Sequence, residues 1–141
     1  MRVICAKDYD EMSALAADFI AAQIILNPDS ILGLATGSTP VGTYQELIRR
    51  YRAQRLDFSG VRTVNLDEYL GLKPEDSHSY RYFMNEVLFD HINIDPSNTY
   101  LPDGMAKDLQ AMCRAYDERI RSLQRDAAGG VREREHAIYP A

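Results

Sequence analysis

Short apolar runs alternating with amphipathic stretches constrain this chain more than any other feature of its sequence. Residues 31–35 and 61–66 are too short for helices, and the first is apolar on both faces, as expected of a strand inside a parallel sheet. Between them Val41, Tyr44, Ile48 and Tyr51 recur at helical spacing. Residues 3–6 read as an earlier strand and residues 98–101 as a later one. Asp8 is placed to cap a first helix, with Glu11 in the capping-box position and Met12, Leu15, Phe19, Ala22 and Leu26 as its buried stripe. Tyr80, Phe83, Val87 and Leu88 mark a third helix, and Leu109, Met112, Tyr116, Ile120 and Leu123 a long fourth one. Strand–helix alternation with short connections implies parallel strands joined by right-handed crossovers. The predicted fold is α/β: an open, mostly parallel, Rossmann-like sheet of four strands with helices on both faces, truncated. Gly129-Gly130 reads as a helix stop, after which a fifth strand is due. A charged stretch without strand alternation follows instead, so residues 1–130 read as the N-terminal portion of an α/β domain and residues 131–141 as a divergent tail.

The 141 residues enclose one core at most. A net charge of −5 argues against nucleic acid, whose phosphate backbone calls for clustered Lys and Arg. An anionic small molecule is still allowed, because helix N-termini supply local positive potential on an acidic protein. Cys5 and Cys113 lie on separate elements without metal-like spacing, and read as small buried apolar residues in a reducing compartment. The N-terminus turns charged at Lys7, without the apolar core of a signal peptide. No apolar run has the length of a membrane span. The expectation is a cytoplasmic protein with no membrane partner, no nucleic acid, no metal and no cofactor.

Two stretches carry chemistry. Thr36, Gly37, Ser38 and Thr39 form a small-residue turn after the apolar run, and Pro40 suits the first turn of the next helix. A phosphate needs several N–H donors converging on one spot, and glycine lets the backbone approach closely. The hydroxyls of Thr36, Ser38 and Thr39 add donors, and Ser38 and Thr39 are candidate N-caps. A plain capped turn is the competing reading of these residues alone. The motif lacks the Gly-Lys-Ser/Thr ending of a Walker loop. The second stretch is Asp67-Glu68, where another strand ends in paired acids, and ligands of parallel sheets gather at the carboxyl ends of strands. Adjacent strand residues face opposite ways, so one carboxylate faces the crevice and the other braces the site. Apolar surroundings would raise the pKa of the crevice carboxylate, which suits removal of a proton beside a carbonyl. Arg49, Arg50, Arg52 and Arg55 read as a solvated helix end, and His78 and His91 lack partners at metal-ligand spacing.

These residues resemble the glucosamine-6-phosphate deaminase family, also called glucosamine-6-phosphate isomerases. Leu34-Ala-Thr-Gly-Ser-Thr-Pro40 is similar to its phosphate loop, and Asn65-Leu-Asp-Glu-Tyr-Leu-Gly-Leu72 to its most recognisable N-terminal motif. Ser79-Tyr-Arg-Tyr-Phe-Met84 and Tyr116-Asp-Glu-Arg-Ile120 continue the agreement. The match covers residues 1 to about 130, the first half of the family's length. It implies a hydrolase of carbohydrate metabolism that converts glucosamine 6-phosphate and water to fructose 6-phosphate and ammonia. Carried over, Asp67 is the base moving a proton between C2 and C1, Glu68 a supporting residue, and Thr36, Gly37, Ser38 and Thr39 the phosphate holders. The partner implied is a small amino-sugar phosphate, and the full-length family leaves room for a homo-oligomer. The family's Gly-His-Ile and Asn-Glu-Pro motif, which supplies the ring-opening groups, is absent, so the resemblance points to an incomplete chain. A non-catalytic sugar-phosphate binder is one alternative. Another is a 6-phosphogluconolactonase, disfavoured by Tyr69 where lactonases place Arg.

Overall fold

The computed structural model describes residues 3–138, with side chains described through residue 124. Its elements run α1 (Tyr9–Leu26), β1 (Ile31–Leu34), α2 (Val41–Arg52), β2 (Arg62–Asn65), α3 (Tyr80–Val87), β3 (Thr99–Tyr100) and α4 (Leu109–Ile138). The sheet is parallel, with β2 in the centre. Ile31 lies opposite Arg62 and Leu34 opposite Asn65, while Thr63 and Val64 face Thr99 and Tyr100. The alternation thus does specify an open parallel α/β sheet.

Side chains alternate across each strand, and paired residues of parallel strands share a face. Leu32, Leu34, Thr63 and Thr99 therefore lie on one face, and Gly33, Val64 and Tyr100 on the other. Leu34 joins a core with Ala17, Ala21 and Ile24 of α1, Tyr44, Leu47 and Ile48 of α2, and Met84 of α3. On the opposite face α4 lays the Arg119 guanidinium 5.6 Å from the centre of the Tyr100 ring. Helices cover both faces.

Several local expectations need correction. The sheet has three strands among the described residues, since residues 3–6 form no strand. Val3 and Ile4 are exposed, with no neighbouring strand to cover them. The buried stripe of α1 is Ser13, Ala17, Ala21 and Ile24, whereas Phe19 and Leu26 face outward. The reason is close helix packing: a Cβ on Gly42 of α2 would collide with Ser13 Oγ and stand 2.7 Å from the Tyr9 ring. Only a small-residue face fits there. Asp8 does cap α1, accepting from Glu11 N at 2.8 Å, while the Glu11 carboxylate takes Lys7 N. Cys5 and Cys113 are both exposed, Cys5 because it precedes the first element and Cys113 on the outer side of α4. Helix α4 continues through Gly129-Gly130 to Ile138, so the glycine pair does not stop it. Tyr139, Pro140 and Ala141 of the tail lie outside the described residues.

Candidate functional site

Because Leu34 pairs with Asn65, the turn after β1 and the acids after β2 leave neighbouring strands at the same level of one sheet end. The Asn65 side chain ties these strand ends together, its Nδ2 donating to Leu34 O at 3.0 Å. Asn65 is buried, and among the described residues its Oδ1 has no hydrogen-bond partner. Tyr116 from α4 closes the sheet end from the other side. Its hydroxyl lies 2.6 Å from Asn65 O and 2.9 Å from Tyr100 O, one proton shared between two carbonyls. Burial pushes the Tyr116 phenol up to about 12, against the opposing pull of its bond to Asn65.

The turn over residues 36–39 is held at both ends by tyrosine hydroxyls. Tyr44, buried in α2, donates to Ala35 O at 2.6 Å and accepts from Ala35 N at 3.1 Å. Burial pushes the Tyr44 phenol up. At the far end the Tyr9 hydroxyl lies 2.9 Å from Ser38 O and 3.1 Å from Thr39 O, and accepts from Gly42 N at 2.8 Å. Between these anchors Gly37 has φ +90°, a left-handed conformation that favours glycine. A Cβ on Gly37 would meet nothing within 4 Å, so the backbone angle, and not crowding, requires glycine here. Thr36 is half-buried, and Gly37, Ser38 and Thr39 are exposed. Among the described residues the N–H groups of Gly37, Ser38 and Thr39 donate to no protein acceptor.

The capping expectation is overturned. The N-cap of α2 is Pro40, without a side-chain cap bond, so neither Ser38 nor Thr39 serves as cap. Their hydroxyls are left for other acceptors. A shallow groove lined by Tyr9, Met12, Ser38, Thr39, Val41, Gly42 and Gln45 runs along this side of the turn.

The two acids part company for a different reason from strand alternation. β2 ends at Asn65, so Asp67 and Glu68 lie in the following loop. Glu68 turns back onto the start of α3. Its Oε1 accepts from Tyr69 N and Tyr80 N, each at 2.8 Å, and its Oε2 from Arg81 N at 2.9 Å. A carboxylate at a helix N-terminus is favoured by both the free donors and the dipole. Arg81, in turn, donates to Thr99 Oγ1 at 2.7 Å and Thr99 O at 2.9 Å. Burial pulls the Arg81 guanidinium below its ordinary value, partly offset by Glu68. One chain of contacts therefore fixes the loop after β2 to α3 and β3.

Asp67 is exposed on that braced loop. The expected apolar enclosure is not there among the described residues. The Tyr69 and Tyr80 rings meet at a 40° tilt on the same loop and the start of α3, ring centres 4.6 Å apart, with Tyr80 OH donating to Tyr69 OH at 3.2 Å. That bond raises the Tyr69 phenol. Gly104 makes a close contact with the same loop, accepting from Gly71 N at 2.8 Å.

Sequence reasoning missed Tyr9, Asn65, Arg81 and the hydroxyls of Tyr44 and Tyr116. A signal existed for some of them: a buried Asn or Tyr must find a hydrogen-bond partner, and here the partners are strand-end backbone groups. The arginines lie elsewhere. Arg49, Arg50 and Arg55 line a groove at the opposite end of α2, where Arg50 pairs with Asp18 at 2.6 Å and Arg49 with Glu46.

Comparisons with known proteins agree with this arrangement. The family described as glucosamine-6-phosphate isomerases/6-phosphogluconolactonase matches residues 7–135. A glucosamine-6-phosphate deaminase of Clostridioides difficile is 55% identical over 131 residues, which cover 93% of this chain and 51% of that protein. The structure of a monomeric glucosamine-6-phosphate deaminase superposes with a TM-score of 0.86 at 46% identity, covering 88% of this chain and 52% of the other. A 6-phosphogluconolactonase from Thermotoga maritima shares the fold, with a TM-score of 0.66 at 20% identity over 85% of this chain and 53% of its own. The chain thus spans about half the length of the curated relatives it matches. With a family match over most of its length and a strand-end site to go with it, the chain belongs to the glucosamine-6-phosphate isomerase and 6-phosphogluconolactonase family.

Proposed function

We propose that this chain supplies the phosphate loop and the enolising base of a glucosamine-6-phosphate deaminase, acting on a small amino-sugar phosphate in the cytoplasm. The observation that supports the reading is the pairing of Leu34 with Asn65, by which the residue 36–39 turn and the loop carrying Asp67 both leave the same end of two neighbouring strands. Identity to named deaminases supports the choice of substrate. Tyr69, where lactonases place Arg, speaks against the lactonase alternative. The absence of any helix long and apolar enough to cross a membrane, among the described residues, is compatible with the proposed location.

In this reading Gly37, Ser38 and Thr39 offer backbone N–H groups to the phosphate, and the hydroxyls of Thr36, Ser38 and Thr39 add donors. Asp67 takes the proton from C2 of the open-chain aldehyde; the C2–H pair becomes a C1–C2 double bond while the C1=O π pair moves onto O1, which takes a proton from water to give an enolamine. Return of the proton at C1 gives an imine at C2, and water then replaces nitrogen to give the ketose and ammonia. Glu68 is too heavily engaged by Tyr69, Tyr80 and Arg81 to act as this base. Its part is to aim the loop that carries Asp67.

The exposure of Asp67 favours a second reading, a sugar-phosphate binder without turnover, because the described residues do not shut water away from the carbon on which it would act. A fusion of this chain to the complementary half of the Clostridioides difficile relative separates the two. The fusion is expected to release ammonia from glucosamine 6-phosphate, and Asp67→Asn to lower that rate by about 10²–10⁴-fold. Phosphate binding without ammonia release would leave only the binder, and full activity of Asp67→Asn would place the base elsewhere.

A further inference from the structure

We propose that Tyr9 is a positioning residue of the phosphate loop: from the first turn of α1, its hydroxyl fixes the orientation of the peptide groups that receive the anion. The proposal rests on the reading of residues 36–39 as the phosphate cradle.

The geometry is specific. One hydroxyl meets three backbone groups that straddle Pro40: Ser38 O at 2.9 Å, Thr39 O at 3.1 Å and Gly42 N at 2.8 Å. The single O–H proton is shared by the two carbonyls, and a lone pair takes the amide. An anion site fails when carbonyl oxygens point at the ligand, so tying them to a phenol on the protein side keeps their dipoles out of it.

Two further observations support the assignment. Helix α2 has no side-chain cap of its own, because Pro40 stands at the N-cap. Tyr9 supplies from another helix the acceptor that a local Ser or Thr would give to a first-turn amide. In addition, Gly42 has no space for a side chain, the Tyr9 ring lying 2.7 Å from where its Cβ would stand. The glycine is what lets the ring reach the loop. Tyr44 performs the matching task at Ala35, so the turn is clamped at both ends. Tyr9 differs from Tyr44 in being 46% exposed, so removing its hydroxyl opens no hole in the core.

The test is titration of the 141-residue chain with inorganic phosphate, followed through backbone amide chemical shifts. Tyr9→Phe is compared with Tyr82→Phe, a tyrosine outside the loop, and with Tyr9→4-aminophenylalanine, which keeps a donor and an acceptor in place. The expected result is phosphate affinity about tenfold weaker in Tyr9→Phe, at a thermal midpoint matching Tyr82→Phe, with the amino variant recovering most of the loss. Unchanged affinity in Tyr9→Phe overturns the proposal while leaving the cradle intact. Affinity lost only in step with thermal stability, or a Tyr9→Phe chain that does not fold, assigns the hydroxyl a purely structural task and also overturns it. An unaltered chain that binds no phosphate overturns the cradle and this inference together.

Discussion

Glu68 and Gly37 show how single residues set this site. Glu68 accepts three backbone N–H groups, two of them at the start of α3. Glu68→Ala should therefore lower stability by about 1.5–3 kcal/mol, read from urea unfolding, as expected for hydrogen bonds to a charged group. Helix α3 itself should survive, because Ser79 caps it through Tyr82 N at 3.0 Å. Gly37→Val forces a β-branched residue to φ +90° and should cost about 1–3 kcal/mol while weakening fructose 6-phosphate binding by calorimetry. Unchanged affinity would make the turn an ordinary connection. The positions of Gly37 and the two acids were legible because glycine and paired carboxylates are rare beside apolar strands. Their mechanisms were less so. Nothing local distinguishes a glycine needed for crowding from one needed for its φ, and strand alternation cannot apply to acids that lie beyond the strand's last residue, Asn65.

At the scale of elements, the order of helices and strands was legible from periodicity, and the buried side of α1 was not. Periodicity ranks positions by hydrophobicity, so Phe19 and Leu26 look like core. What decides the matter is the nearness of α2, whose Gly42 packs directly against Ser13 and Tyr9 of α1. The run of small residues four apart, Ser13, Ala17 and Ala21, was the available signal. Gly42→Ala should accordingly cost about 1–3 kcal/mol in thermal or urea unfolding, by overpacking at Ser13 and Tyr9. Tyr116 joins α4 to the strand ends and has a signature of its own. Its folded value of about 12 exceeds the ordinary 10.0, so the unfolded chain gives up this proton first. The resulting stability is whole below pH 10 and is lost as pH rises towards 12, and buried Tyr44 acts in the same direction. Urea midpoints should fall across that interval, and Tyr116→Phe should make the fall shallower.

The molecule as a whole carries an apolar surface larger than its own elements cover. Leu26 is 77% and Leu66 83% exposed, Ile25 lies outside, and among the described residues one edge of β1 has no strand beside it. Such an edge recruits partners or exchanges rapidly. Amide hydrogen exchange should show stronger protection along β2, which is paired on both sides, than along β1. Equal, strong protection of both strands in a monomer would show that the half-length sheet closes its own core. Coverage of this kind was beyond the sequence, because exposure depends on what stands opposite a strand. The central claim is that the ends of β1 and β2 form one sugar-phosphate site. Titration of the chain with fructose 6-phosphate, followed at backbone amides, tests it most directly. Saturable shifts concentrated at Thr36, Gly37, Ser38, Thr39 and Asp67 are the expected result. Shifts confined to the arginine groove at Arg49, Arg50 and Arg55, with the turn and Asp67 silent, would contradict it.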